Sequence, residues 1–404
     1  MDKVPGAAAQ AHDVRRLAAP RSALRKTLYA ALAAGIALLC VAAWPSARAH
    51  LQAFAVLRKV AGDPAPWVAR ATDGAPVAVQ DFAFTVASPD GQRRVRARMY
   101  LPQNGPNAPA MVVFHGVHNL GIDEPRLMGF AAAMARCGLR VLTPELPEIK
   151  DYRVGPDSVR TIGESVRWFA AQTGGPVGVM GLSFSGGLAL VAAEDPLYRP
   201  SFKFVAAVGS QDSMARVTEY YMTGRDARPN GTVEVQQPHE YGPLVIEYEY
   251  LQDLVPAADL QPVRAVLRAH LDEDRPGEAA ALRLLTEAQR REARDLMDTS
   301  LPATRSRIAQ AIARHAYEFP EMSPEEGLRT LTTPVFLLHG EGDNVIPAAE
   351  TQWMASELPR SSLKAVLISP VLSHVNLDEA KPGPMDQWRL VHFFAQILQA
   401  AEAK

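Results

Sequence analysis

Residues 179–187, with the sequence VMGLSFSGG, join an apolar run directly to a helical run through small side chains. A turn this sharp raises one serine above the end of a strand, because the residues two before and two after it approach each other's backbone closely. Gly181 and Ser185 are small enough for those two positions when Ser183 is the raised residue. Ser183 is therefore the first candidate for a nucleophile.

Ser185 is a second candidate, since Ser183 and Gly187 flank it at the same spacing. We prefer Ser183 because it follows the apolar run at once, and because Phe184 then begins a helix whose first N–H groups would face an oxyanion. The usual G-x-S-x-G pattern has glycine where Ser185 stands. A glycine-rich helix start in an unrelated α/β protein would produce the same residues.

Upstream, the apolar run AMVVFHG ends in His115 and Gly116. A hydrolase built around Ser183 takes its second oxyanion donor from this place, which makes the backbone N–H of Val117 the candidate. We interpret His115 as structural. His118 follows three residues later, but no carboxylate at ligand spacing accompanies the two histidines, so we predict no metal site and no cofactor.

Asp343 follows the apolar run PVFLLHG within a short acidic turn. Open α/β sheets place their sites at the carboxyl ends of strands, where an aspartate can hold an imidazole in one tautomer. Glu341 is the competing carboxylate, but it lies closer to the end of the strand. An aspartate that only caps the turn before Pro347 is the alternative interpretation.

His374 is the candidate general base, in a loop after the apolar run LKAVLIS and before the last helix. A histidine in that loop can reach across the edge of the sheet. His392 is the other local candidate, and its position inside the helical stretch VHFFAQIL favours a core or surface role.

The elements that must position these residues alternate between strand and helix patterns. The segments VQDFAFTVAS and RRVRARMYLP flank the turn residues Pro89, Asp90 and Gly91 and predict an antiparallel hairpin. Short apolar runs and amphipathic helices then alternate, which predicts a mostly parallel, doubly wound sheet with helices on both faces.

Residues 211–329 interrupt this alternation with amphipathic stretches separated by prolines. We predict a helical cap inserted between two strands, over the carboxyl edge of the sheet. Tyrosines in the cap either line an acyl pocket or pack within the lid. They are Tyr220, Tyr221, Tyr241 and Tyr248.

The order Ser183, Asp343, His374 along the chain, together with the elbow and the HG and HGxxD motifs, resembles the α/β-hydrolase superfamily. The resemblance covers about residues 80 to 399. Residues 144–171 and the glycine-rich elbow are most similar to the dienelactone-hydrolase and esterase branch. The resemblance implies a serine hydrolase that cleaves a small-molecule carboxylic ester, with these three residues as a triad and Val117 and Phe184 as oxyanion donors.

At the N-terminus, residues 27–44 carry no charge and follow a basic segment that contains Arg15, Arg16, Arg21, Arg25 and Lys26. This asymmetry predicts a cytoplasmic N-terminus, and a helix of this length spans roughly 27 Å, close to the thickness of a bilayer core. We favour an uncleaved signal anchor, with a cleaved signal peptide ending at Ala47, Arg48 and Ala49 as the alternative. Either places the body of the protein outside the cytoplasm. Residues 45–76 are predicted to be a linker, and residues 77–404 the catalytic domain.

Composition excludes several other classes. The 404 residues carry a formal net charge of -2, with 48% hydrophobic and 21% charged residues, which is typical of a globular protein without a nucleic-acid surface. The two cysteines, Cys40 and Cys137, cannot form a disulfide framework. A peptidase on the same fold, and a binding protein that has lost turnover, remain the competing functions.

Overall fold

The computed structural model divides the chain into two units, Met1–Arg48 and Ala49–Lys404. The helices are α1 Pro20–Val60, α2 Trp67–Arg70, α3 Pro125–Arg136, α4 Pro147–Lys150, α5 Pro156–Thr173, α6 Phe184–Glu194, α7 Met214–Thr223, α8 Tyr241–Glu249, α9 Leu251–Leu254, α10 Leu260–Leu271, α11 Arg275–Leu284, α12 Glu287–Met297, α13 Pro302–His315, α14 Ala349–Glu357 and α15 Pro384–Glu402. The strands are β1 Val77–Ser88, β2 Gly91–Pro102, β3 Ala110–Phe114, β4 Arg140–Pro144, β5 Val177–Leu182, β6 Phe202–Val208, β7 Arg225–Ala227, β8 Val233–Val235, β9 Val335–Gly340 and β10 Leu363–Ser369. The structure describes residues 20–64, 66–70, 74, 76–88, 91–103, 105, 107–372 and 383–403.

Within these residues, the main sheet has eight strands in the order β1-β2-β4-β3-β5-β6-β9-β10. Strands β1 and β2 form the predicted antiparallel hairpin, in which Ser88 faces Gly91. Strand β2 is also antiparallel to β4, and every pair from β4 to β10 is parallel. This order, with one antiparallel strand near the first edge, is that of the α/β-hydrolase fold, and it confirms the predicted mostly parallel sheet.

The two faces of the sheet pack against two separate hydrophobic clusters, because successive side chains of a strand point to opposite faces. On β3, Val112 and Phe114 join one cluster, and Met111 and Val113 join the other. The first cluster, here called the cap-side cluster, contains side chains of α5, α6 and the cap. The second, here called the α15-side cluster, contains side chains of α3, α15 and the last turns of α1. Each fully buried Leu or Phe contributes about 1.5–3 kcal/mol of transfer free energy.

Helix α1 continues past the predicted start of the linker at residue 45 and ends at Val60. Ala49, Ala53 and Val56 recur on one face of the helix and are buried in the α15-side cluster. The prediction of a linker for residues 45–60 was therefore wrong, because tertiary packing stabilises the helix as far as Val60, ahead of a turn at Gly62 with a backbone φ of 75°.

Part of α1 meets the length and composition of a membrane-crossing helix. The stretch Ala31–Val60 contains an apolar window of 18 residues that is not buried. A signal sequence near an N-terminus has the same character. Cys40 lies exposed in this stretch, whereas Cys137 is buried in the α15-side cluster.

The segment between β6 and β9 is described in full and forms the predicted helical cap, from α7 to α13. It also contains a two-stranded ribbon of β7 and β8, in which Arg225 faces Val235. Sequence patterning did not predict this ribbon, because strands of three residues are too short to show an alternation.

Buried charges fix the start of the cap to helix α14. The Glu350 carboxylate accepts hydrogen bonds from the backbone N–H groups of Asp212 and Ser213 at 2.9 and 2.8 Å. Arg216 donates to Glu350 at 3.0 Å and also pairs with Asp212. Burial, and then the charge of Glu350, raise the pKa of Asp212 to about 8. The first turn of the cap is thus held on helix α14 through charge-assisted hydrogen bonds.

Candidate active site

Ser183 stands at the junction of β5 and α6, with a backbone φ of 55° and ψ of -138°. A positive φ at a residue with a side chain costs about 1–3 kcal/mol and persists where the surrounding structure holds it. Here the N–H of Ser183 donates to Val208 O at 2.7 Å, and Ser210 Oγ donates to the Ser183 carbonyl at 2.9 Å. A Cβ added at Gly181 would lie 2.4 Å from Gly186 Cα, which explains why a small residue precedes the serine by two. The sharp turn predicted around Ser183 is present.

Ser185, the rival nucleophile, is fully buried in the first turn of α6. Its hydroxyl donates to the carbonyl of His115 at 2.6 Å, so it joins the elbow to the end of β3. Ser183 lines the main cavity, and Ser185 does not. The geometry gives Ser185 a structural role.

The loop after β3 comes close to Ser183. A Cβ added at Gly116 would lie 3.2 Å from Ser183 Cβ, so glycine lets the loop approach the serine. Val117 lines the same cavity, and its carbonyl accepts a hydrogen bond from the Tyr241 hydroxyl of the cap at 2.8 Å. Phe184 is the first residue of α6, directly after Ser183. The structure therefore brings Ser183, Val117 and Phe184 together at the carboxyl edge of the sheet.

His115 is buried at the end of β3, where both ring nitrogens are bonded. Its Nδ1–H donates to Gly116 O at 2.8 Å, and its Nε2 accepts the N–H of Leu146 at 2.9 Å. Burial lowers the pKa of His115 to about 4, so the ring is neutral at physiological pH. The ring fixes the loop after β3 to the loop after β4, as the structural interpretation expected.

His118 lies in the cavity wall, and its Nδ1 accepts the N–H of Leu120 at 3.1 Å. Among the described residues, no group of three or more histidine, cysteine, aspartate or glutamate side chains is placed to hold a metal ion.

Asp343 follows β9 at the same edge of the sheet, is 1% exposed and lines the cavity with Ser183. One carboxylate oxygen accepts the N–H groups of Val345 and Ile346 at 2.9 and 3.0 Å. His339, fully buried, donates to the Ile346 carbonyl at 2.8 Å and reinforces the same turn. The turn-capping interpretation of Asp343 therefore holds, and the same carboxylate lies in the wall of the cavity. The competing carboxylate, Glu341, is exposed to solvent.

His374 lies outside the described residues, and its placement as the general base stays a prediction. The rival His392 is exposed on α15, where its Nδ1 lies 2.9 Å from Nε2 of His50 and its Nε2 lies 3.0 Å from the Gln396 amide nitrogen. His392 is not a lining residue of the cavity.

The cavity above Ser183 has a volume of about 690 Å³, within the range of small-molecule sites. Of the four cap tyrosines, Tyr241 lines it, whereas Tyr220, Tyr221 and Tyr248 are buried in the packing of the cap. Tyr220 is bonded to the turn that carries Asp343, because its hydroxyl donates to the carbonyl of the next residue, Asn344, at 3.3 Å.

Sequence reasoning missed Tyr152, which also lines the cavity. Its backbone φ is 59°, and its hydroxyl contacts the Asp272 carboxylate at 2.8 Å and the Leu271 carbonyl at 3.0 Å. Burial, and then the hydrogen bond to Asp272, raise the pKa of Tyr152 far above its usual range. No periodic pattern in the sequence marks a loop residue of this kind, which follows the short helix α4 by two residues.

No protein-family model matches the chain. No curated protein matches it either. Solved structures with similar folds include esterases and lipases of the α/β-hydrolase superfamily. A membrane phospholipase A, described as a bacterial virulence factor, is 18% identical with a TM-score of 0.42, over 95% of this chain and 99% of that one. An esterase of Pyrobaculum calidifontis is 18% identical with a TM-score of 0.42, over 82% and 88% of the two chains. A putative lipase of Acinetobacter baumannii is 15% identical with a TM-score of 0.39, over 82% and 90%.

Proposed function

We propose that this protein is a serine hydrolase that cleaves a carboxylic ester through an acyl-enzyme on Ser183. The observation that carries the proposal is the position of Ser183, which lies at a strained strand-to-helix turn in the wall of a large cavity, next to the glycine of the Gly116–Val117 loop. A strained serine beside two sets of backbone N–H groups suits attack on a carbonyl.

In the proposed mechanism, His374 accepts the proton of Ser183 as the serine oxygen attacks the ester carbonyl. The N–H groups of Val117 and Phe184 receive the oxyanion. The protonated His374 then gives its proton to the departing alcohol. Water, activated by the same imidazole, releases the acid and restores the serine.

Asp343 would orient the imidazole and stabilise its protonated form. Support comes from the rigid turn that carries the carboxylate, which has two backbone N–H donors on one oxygen and is buried at the edge of the cavity. The cap adds support from the other side, because the N–H of His239 donates to the Asn344 carbonyl at 2.8 Å.

The reaction class is tested with matched carboxylic-ester and peptide substrates. We expect the purified protein to hydrolyse p-nitrophenyl esters and to leave dipeptide p-nitroanilides intact. Cleavage of the peptides with no cleavage of the esters would favour the peptidase alternative. If neither is cleaved and a fluorophosphonate leaves the protein unlabelled, the chain is a binding protein on this fold.

The hydroxyl of Tyr241 is proposed to hold the oxyanion loop in its working position through the Val117 carbonyl. We expect Tyr241→Phe to lower kcat about fivefold, since a hydrogen bond of this type contributes about 1 kcal/mol, and to leave KM within about twofold. Tyr250→Phe is the matched control, because Tyr250 stacks on His315, 4.0 Å away, and is not a lining residue of the cavity. Equal kcat values for Tyr241→Phe and the wild type would remove the role.

We also propose that helix α1 anchors the protein in a membrane, with the domain Ala49–Lys404 outside the cytoplasm. The apolar stretch within α1 and the basic residues before it support this topology. We expect the chain to stay with membranes after alkaline carbonate washing and to keep its full-length mass. A soluble exported product that begins after Ala49 would show instead that the segment is a cleaved signal.

A further inference from the structure

The cavity above Ser183 has two chemically different walls. One wall is largely apolar and is built by side chains of α1, α3, α15 and the loop after β10, with the ion pair of Arg126 and Glu124 at the start of α3. Its apolar side chains are Leu57, Val60, Leu127, Phe130, Leu372 and Phe394. All of these except Val60 belong to the α15-side cluster or pack against it, so they form one continuous hydrocarbon surface.

The other wall is polar and is built by the cap and by the loop after α4. Tyr152 and Tyr241 line this wall, with hydroxyl groups that donate to the Leu271 and Val117 carbonyls, and Asp272 and Glu273 add carboxylates at the end of α10. Tyr152 and the neighbouring Leu271 belong to the cap-side cluster, so the polar wall is supported by the opposite face of the sheet. An ester whose carbonyl lies at Ser183 would meet hydrocarbon on one side and polar groups on the other.

We infer that the apolar wall is an acyl-chain subsite, and that the substrate is an amphiphilic ester of a hydrocarbon acid with a polar alcohol. This inference rests on the proposed function. Burying a methylene group gains about 0.8 kcal/mol, which corresponds to an increase in kcat/KM of about fourfold for each added carbon that the wall covers. The polar wall, which includes the carboxylates of Asp272 and Glu273, accommodates the polar alcohol.

The last turn of α1 closes this subsite. Leu57 and Val60 are three residues apart and share one face of the helix. Val60 is 46% exposed, so it marks the outer limit of the apolar wall. The turn is held in place because Ala53 and Val56 are buried in the α15-side cluster and the Gln52 amide donates to the Cys137 carbonyl at 3.1 Å. Leu57 and Val60 therefore set the longest acyl chain that the subsite covers.

The test uses full-length protein and p-nitrophenyl esters from acetate to palmitate. We expect Leu57→Trp and Val60→Trp to lose kcat/KM more steeply as the acyl chain lengthens, by about tenfold or more on the longest chain that the wild type prefers. Leu57→Ala, which enlarges the subsite, is expected to move the preference to longer chains. Lys59→Trp is the matched control, because Lys59 lies in the same turn and is exposed.

The subsite would be overturned, and the proposed function would stand, if the dependence of kcat/KM on acyl length were the same as in the wild type for all three variants. These variants are Leu57→Trp, Val60→Trp and Leu57→Ala. If Leu57→Trp does not fold, the half-exposed Val60 position and the smaller Leu57→Ala side chain still decide the question. A wild-type protein that cleaves none of the esters overturns both the proposed function and the subsite.

Discussion

Ser183→Ala is expected to lower kcat for ester hydrolysis by about a million-fold, because it removes the atom that forms the covalent intermediate. The backbone hydrogen bond from residue 183 to Val208 O, 2.7 Å long, does not involve the hydroxyl, so the elbow stays folded. Steady-state rates on a p-nitrophenyl ester measure the loss, and circular dichroism checks the fold.

Ser185→Ala is the matched control for this prediction. It removes the 2.6 Å hydrogen bond from the Ser185 hydroxyl to the His115 carbonyl, which costs about 1 kcal/mol of stability. We expect a lower melting temperature and a kcat reduced by less than about tenfold. If Ser185→Ala were inactive and Ser183→Ala active, Ser185 would be the nucleophile and the assignment of Ser183 would be wrong.

Asp343→Asn is expected to lower kcat by about ten-thousand-fold, because a neutral amide no longer stabilises the imidazolium of His374 or fixes its tautomer. The amide oxygen can still accept the N–H groups of Val345 and Ile346, which keeps the turn intact. A pH–rate profile on the same ester separates the effect on the base from an effect on folding.

Glu341→Gln is the control for the acid, since Glu341 is exposed two residues earlier in the same turn. We expect its rate to equal that of the wild type. A large loss of kcat in Glu341→Gln with a small loss in Asp343→Asn would assign the acidic role to Glu341 in place of Asp343.

The central part of the fold was predictable from local sequence because its strands are buried on both faces. Continuous apolar runs such as AMVVFHG and PVFLLHG have few other structural uses, and a run of small residues after PVGVMG indicates a sharp turn. Ser183 and Asp343 were chosen as candidates in this way, because Ser183 directly follows one such strand and Asp343 lies in the turn after another.

The parts that were missed depend on contacts between distant segments. Residues 45–60 were assigned to a linker because prolines and glycines follow them, although the spacing of Ala49, Ala53 and Val56 was a signal for a buried helix face. Tyr152 and Leu57 enter the site through the packing of a loop and a helix end, which no local pattern encodes. The proposed substrate preference depends on both residues, because Leu57 lies in the apolar wall of the cavity and Tyr152 in the polar wall.

The most direct measurement is mass spectrometry of the protein after reaction with a fluorophosphonate, which labels a serine that a neighbouring base has activated. We expect one adduct, assigned by fragmentation to Ser183 itself, and a large loss of labelling in His374→Ala. An adduct on Ser185, or ester hydrolysis that continues at the wild-type rate while Ser183 stays unmodified in the presence of the probe, would contradict the assignment of Ser183 as the nucleophile.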